Sequence, residues 1–523
     1  MARTNGHRWR PWMALGFLLV AIWAIGPWAL ILLLPALLMR HQIGRPSGRS
    51  IAAVIVLCVA GAVLAITRPP GSLPIPPGAG WLTTPSYDGR PANAEPLNAK
   101  NPPQNPHLAA NPFNSMHNDA WATDAYPGPG PTGSNPQVDS AFYGILECAT
   151  LTFDSQGRLV GLCGDISGPS LHLIDPDTLQ ITKSQPLPER KPSKESRLQD
   201  LCGGAYFYLD NEDRAVVATT DAKVAMFDTA TLKPVGSYPV PVPEGDCLIA
   251  LLPDWQGRTW YATRHGQVGW VIPKTGRHGE FRVKGTIANS LAADDSGLYV
   301  VSDRALIRFR TNVARPKREW STPYDRGFVR KTGQLSQGSG TTPTLLQGGK
   351  IAITDNADPR MRVLVLDRRT GKVTCEVPVL KKGASATENS LVAVGQSLYV
   401  ENNFGYAGRW TTMLGRSTSG GVAKVDTAKC EVAWTAPIAA PTSVPKASIK
   451  SGLLYVYEKR ANAWGVNAWY LTALDLRTGA RAFRVRTGIG TLFNNHYAAI
   501  TLGPDGSAYV ATLAGLVRIR DGQ

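Results

Sequence analysis

The chain has 523 residues, enough for two to four domains of ordinary size or for one large closed all-β domain. Its formal net charge of +16 is uneven, because the first 68 residues hold seven arginines and no Asp or Glu, leaving about +9 for the rest of the chain. That dilute charge, with no run of Lys or Arg interleaved with aromatics, speaks against a nucleic-acid partner and for solubility and a membrane surface.

Residues 12–39 and 51–67 carry no charged side chain, and a helix needs about 20 apolar residues to cross a bilayer. Two transmembrane helices are expected within an anchor of residues 1–68. The first is long enough to tilt or to kink at Pro27, and the second is near the lower limit. A secretory signal peptide fits less well, because no small-residue cleavage site interrupts the first run. The positive-inside rule barely orients the pair, since Arg3, Arg8 and Arg10 compete with Arg40, Arg45 and Arg49. The cysteines break the tie. Cys58 falls in the second run, and the six that remain suit three disulfides in an oxidising compartment. The expectation is a cell-membrane protein with its arginine loop in the cytoplasm and its large domain on the extracytoplasmic side. Six reduced, buried cysteines in a cytoplasmic domain is the competing reading.

Residues 69–137 are dense in Pro, Asn and Gly and read as a linker. Within it, Met116 to Tyr126 mixes Trp121 and Tyr126 with His117 and Asp119, so this part is expected to dock on the following domain, either by its aromatics alone, across the domain's mouth, or by lending His117 or Asp119 to a site.

From residue 138 to 523 short runs of Val, Ile, Leu, Tyr and Phe alternate with Gly, Asp and Asn turns, the pattern of an all-β protein. Pairs of inner runs begin near Glu147, Gly203, Asp246, Asn289, Thr341, Glu388, Lys446 and Asn494, and each is followed by a tail of two further runs. A period of about 40 to 60 residues with four strands signifies a β-propeller. Eight inner pairs imply eight blades, with seven as the alternative. The last tail, from Gly515, stops after one run, so a strand near residues 136–144 should close the ring. Turn acids such as Asp154, Asp254, Asp295 and Asp505 are read as turn formers.

The tails LDLRTGARAFRVRTG and LDRRTGKVTCEVPV resemble the Asp-x-x-Thr-Gly tail of pyrroloquinoline-quinone-type propeller repeats. The resemblance implies the propeller fold. It also implies a choice of activities, since that superfamily includes quinoprotein dehydrogenases, with quinone and Ca²⁺ on the propeller axis, and non-enzymatic assembly proteins. The adjacent Cys-Cys pair of the dehydrogenases is missing, and the Trp that follows the tail Gly is mostly absent.

In a propeller the starts of the first strands and the ends of the second share one mouth. That places Glu147, Asp246, Asn289, Glu388, Asn389, Lys446, Asn494, Asn495 and His496 with Asp303, Asp355, Asn356, Glu401 and Asn402 as candidate ligand-binding residues. Glu147, Asn289 and Glu388 are the candidate oxygen ligands for Ca²⁺, and His496 is the candidate acid–base residue. No CxxC or HExxH pattern marks zinc. Hairpin register pairs Cys148 with Cys163, with a slip or bulge. Position in adjacent strands pairs Cys202 with Cys247 and Cys375 with Cys430. The functional expectation is a polar axial site for a small ligand, with Ca²⁺ or pyrroloquinoline quinone as candidate cofactors, in an oxidoreductase-like or sensing role. A calcium-dependent hydrolase or lyase, or an envelope scaffold with a protein partner, are the alternatives.

Overall fold

Apolar runs cut by Gly, Asp and Asn turns fold into eight antiparallel sheets arranged as blades. They are seen in a computed structural model that describes residues 10–33, 52, 55–56, 59–61, 63, 67–93, 95–110, 112–190, 202 and 206–522. The innermost strands are Glu147–Phe153, Phe207–Leu209, Leu248–Pro253, Ala292–Ala293, Thr344–Leu346, Val392–Val394, Lys446–Ser448 and Ile500–Leu502, and they number blades one to eight. The strand Gln137–Phe142 pairs with Gly515–Arg520 and supplies the fourth strand of blade eight. Joining the two ends of the chain in one sheet closes the ring of blades, and the edges that remain are the outer strands. Large side chains fill the space between blades, among them Trp260, Trp270 and Phe309 between blades three and four.

Antiparallel pairing fixes which loops share a face. In blade one Glu147 lies opposite Gly164, Gly164 opposite Pro169, and Ser170 opposite Pro186. The start of the first strand, the second-to-third loop and the exit of the fourth strand are therefore at one edge, here the upper face. The hairpin Val392–Val394 with Ser397–Glu401 turns at Gly395-Gln396, where Gly395 takes φ 62°, a left-handed conformation that a side chain would disfavour.

All three expected disulfides, Cys148–Cys163, Cys202–Cys247 and Cys375–Cys430, are present. Cys148 lies opposite Cys163, and the register shifts between Cys148 and Thr150, the bulge that the hairpin count required.

Three expectations need correction. The inner strands begin up to six residues later than expected, so Asn289, Glu388, Asn389, Asn494 and Asn495 sit in the loops that lead into strands. The linker does not cross the upper mouth. Carbonyls of Phe113, Asn114, Ala120, Trp121, Thr123, Asp124 and Tyr126 accept hydrogen bonds from inner-strand N–H groups of blades one, two, four, five, six and seven, and Asn105 donates to Pro253 of blade three. It thereby lines the lower end of the channel. Finally, among the described residues no helix is long and apolar enough to cross a membrane. Helix α1 (Arg10–Ile25) has 16 residues and gives way at Gly26 to the 3₁₀ turn Pro27–Leu33, because Pro27 has no N–H to continue the ladder. Trp28 N–H bonds instead to the Trp464 carbonyl of blade seven. The described residues of the second apolar run, such as Ile55, Val56 and Val63, are helical and exposed, and Cys58 lies outside the described residues.

Candidate functional site

A cavity of about 440 Å³ opens on the upper face at the propeller axis, within the size range of small-molecule sites. Its floor is the linker, through Met116 and His117. Its walls include Glu147, Tyr206, Asn289, Glu388, Asn389, His496 and Tyr497, with Arg190 and Arg409 also on its lining.

The floor is fixed by a buried charge cluster. Lys446 Nζ bonds Asp124 Oδ1 and the Met116 carbonyl, His117 Nδ1 lies 3.0 Å from Asp124, and His117 Nε2 lies 3.2 Å from Thr342 Oγ1. Burial acts to raise the Asp124 carboxyl, but the adjacent His117 and Lys446 outweigh it and hold the group below its usual range. Lys446 is fully committed here and does not reach the cavity as a ligand group, contrary to expectation. The His117 ring stacks on Tyr206 with centroids 6.0 Å apart.

The walls differ. Burial pushes the Glu147 carboxyl up to about 8, with no opposing charge. Glu388 is also pushed to about 8 by burial, which outweighs the N–H groups of Leu335 and Ser336 and the Arg330 charge. Among the described residues, Glu388 Oε2 and Asn389 Oδ1 have no hydrogen-bond partner. Burial thus favours the protonated, hydrogen-bond-donating form of both glutamates relative to an exposed carboxyl. His496, at φ 42°, accepts or donates with Tyr406 OH at 3.0 Å, and its backbone N–H bonds Asn494 Oδ1.

Of the expected residues, the cavity gathers Glu147, Asn289, Glu388, Asn389 and His496. The others hold the frame. Thr442 Oγ1 bonds Asn495 at 2.6 Å, Asn389 Nδ2 bonds the Ser443 carbonyl, and Asn289 Nδ2 bonds the Ser339 carbonyl, forming a belt between neighbouring blades. Asn494 is bound to Tyr406. Glu401 stands behind Asn389 and accepts from its amide and from Asn403; burial raises its carboxyl well above the usual range. Asn402 ties the Ala384 and Gly420 carbonyls, and Asn356 those of Arg326 and Val329. Asp246 caps Thr263 and His265, Asp303 pairs with Arg326, and Asp355 pairs with Arg362. Tyr206, Tyr497, Arg190 and Arg409 were not singled out from sequence, since each sits in an irregular loop with no periodic signal.

Calcium fits this arrangement poorly. Among the described residues no three His, Cys, Asp or Glu side chains gather as a metal shell. The stacked His117 and Tyr206 rings and the unpartnered Glu388 Oε2 and Asn389 Oδ1 all belong to residues of the cavity lining.

Comparisons place the fold. The family model of the outer membrane protein assembly factor BamB matches residues 255–485, which cover blades three to seven. An uncharacterized protein of Archaeoglobus fulgidus is 28% identical over 328 residues, 54% of this chain and 63% of the relative, so the match spans less than two thirds of that protein. A europium-containing methanol dehydrogenase superposes with TM-score 0.53 at 12% identity, covering 77% of this chain and 90% of that one. The quinohemoprotein alcohol dehydrogenase of Comamonas testosteroni gives 0.54 at 12% identity, covering 80% and 82%. At this identity the two structures establish a shared fold alone.

Proposed function

We propose that this protein, a β-propeller similar to pyrroloquinoline-quinone-type repeats over residues 255–485, binds a small polar ligand in its axial cavity and is held at the cell membrane by its apolar N-terminal segment. The carrying observation is an axial cavity lined by Glu147, Glu388 and Asn389 in which Glu388 Oε2 and Asn389 Oδ1 have no partner among the described residues, and in which burial raises both carboxyls. Such groups donate and accept without charge, which suits a flat molecule bearing carbonyls or hydroxyls, a class that includes quinones. His117 and Tyr206 support its plane, and Arg190 and Arg409 suit acidic substituents at its edge. A bound quinone would supply two-electron redox chemistry; the residues here bind, orient and hold protons at the Glu147 and Glu388 carboxyls. His496, linked to Tyr406, is the acid–base candidate at the rim.

Native mass spectrometry of the detergent-solubilised full chain, with its visible absorbance and metal content, tests the reading. A retained small molecule that is lost in the double variant Glu388→Ala, Asn389→Ala is expected. A bare chain that takes up no planar polar ligand would contradict it. The extracytoplasmic placement is supported by the three disulfides, and six free thiols in intact protein kept without reductant would count against it. A second reading, an envelope scaffold, is favoured by the family match over residues 255–485. There the blade edges bind a protein and cavity variants behave as wild type.

A further inference from the structure

Exposed large apolar side chains are distributed unequally over the propeller. Among the described residues after Thr84 these are Ile145, Ile166, Val235, Phe328, Val329, Trp410, Leu414, Val432, Trp464 and Leu492. Val235 and Val432 lie on outer strands. The other eight all lie in second-to-third-strand loops or blade-to-blade connections, on the upper face, and none lies in a turn of the lower face. Phe328 is 93% exposed and Trp410 63%, values that packing within the chain does not explain. Ile145, Ile166 and Leu492 also line the cavity itself.

Two further observations identify what covers this face. The first is charge. The two longest upper loops that carry apolar tips are rich in basic residues: Arg326, Arg330 and Lys331 flank Phe328-Val329, with Asp325 as the one acid there and with Arg326 and Lys331 paired to Asp303 and Asp358, whereas Arg409 and Arg416 flank Trp410 and Leu414 in a loop without an acid. The Arg409 guanidinium lies 5.0 Å from the Trp410 ring. Aromatic tips with basic flanks are the composition of protein surfaces that sit among lipid headgroups. The second is continuity with the apolar N-terminal segment. The end of α1 is tied to this same face, through Trp28 N–H to the Trp464 carbonyl and through Trp23 against Trp81 at 5.7 Å. The helix carries exposed Phe17, Leu19 and Val20 away from it.

We propose that the upper face is a membrane-docking surface, seated on an anionic bilayer with its ring of apolar tips in the headgroup region, so that the axial cavity opens toward lipid and is filled from it. The proposal rests on the membrane attachment given above and adds its orientation. A cavity with that exposure takes an amphiphilic ligand that partitions into the bilayer, its polar end meeting Glu147 and Glu388 and its apolar part leaving between Ile145, Ile166 and Leu492.

The test is depth measurement by nitroxide labels on the full chain, with Cys58→Ala as background and Phe328→Cys or Trp410→Cys as probes. Lys274→Cys, in an exposed turn of the lower face, is the control. The protein is reconstituted in phosphatidylglycerol–phosphatidylcholine vesicles. The expected result is that both upper labels are accessible to oxygen and protected from a water-soluble nickel complex, while the control is the reverse. Arg330→Glu with Lys331→Glu should lower the protection at residue 328 at least twofold. Protein that floats with the vesicles while all three labels remain water-exposed would overturn the docking and leave the attachment standing; a protein partner for this face would give that same result in pure lipid. Protein that does not float would overturn both.

Discussion

The two ends of the propeller channel contain similar residue types and treat them in opposite ways. At the lower end the charged groups are paired, although Asn118 Oδ1 and Trp121 Nε1 of the linker have no partner among the described residues. Asp154, Asp210 and Asp254 each bind the Arg four residues on, and Lys446, Asp124 and His117 lock the linker in place. At the upper end Glu147 and Glu388 form no ion pair among the described residues, although Arg190 and Arg409 also line the cavity and Arg330 acts on Glu388, and Asn389 leaves an oxygen unbonded. A buried polar group with all its partners stabilises a fold, whereas one without them is costly and needs another explanation. The pairing of charged groups separates the two ends better than residue type does, although Glu401 Oε2 and Asn356 Oδ1 of the frame also lack a partner among the described residues.

The comparison is broken most severely by opening the lower end. Lys446→Ala leaves Asp124 buried with only His117, and loss of one partner of a buried pair costs about 3–5 kcal/mol. A large fall in denaturation midpoint is expected, with ligand binding lost only as the floor loosens. An unchanged midpoint would mean that the linker does not close the channel.

Glu388→Gln should have the opposite profile. A carboxyl whose folded value is raised toward 8 contributes stability below its unfolded value near 4.5, and that contribution is lost as pH rises toward 8. Wild-type stability should therefore fall between about pH 5 and 8. The variant, neutral throughout, should show a shallower fall and be about 1–2 kcal/mol more stable than wild type above pH 8. Ligand affinity should drop about tenfold with loss of the donated proton, because the amide still fills the space. Thermal unfolding across pH together with calorimetric titration reads both.

Asn495→Ala tests a belt residue. Loss of its bond from Thr442 should cost about 1 kcal/mol and leave ligand affinity unchanged. Smallest is Asp475→Ala in a tail turn, where the exposed carboxylate holds the backbone of Arg477 and Thr478; a loss of about 0.5 kcal/mol is expected.

The propeller was legible because its signals are periodic. Tails such as that at Asp475 to Gly479 repeat, and the missing run after Gly515 pointed to the closing strand Gln137–Phe142. The cysteine pairs followed from register. The site was legible only in part. Strand position brought Glu147, Asn289, Glu388, Asn389 and His496 to one mouth, but it could not distinguish them from Asn495, whose partner Thr442 lies 53 residues away along the chain, or from Asp355, which the neighbouring strand's Arg362 holds. The placement of Lys446 depended on Asp124, 322 residues away along the chain. Tyr206 and Arg409 lie in loops whose course is set by packing and leaves no pattern in sequence. The apolar N-terminal run was legible as composition and its break as Pro27, while the bond of Trp28 N–H to the Trp464 carbonyl was not.

The most direct test of the contrast between the two ends is infrared difference spectroscopy of the wild type against Glu388→Gln and Glu147→Gln over a pH series. A protonated-carboxyl band that is present near pH 7, is reduced in each variant and titrates at about 8 is the expected result. Both glutamates titrating near 4.5, as exposed carboxyls do, would contradict an uncharged upper site and the ligand reading built on it.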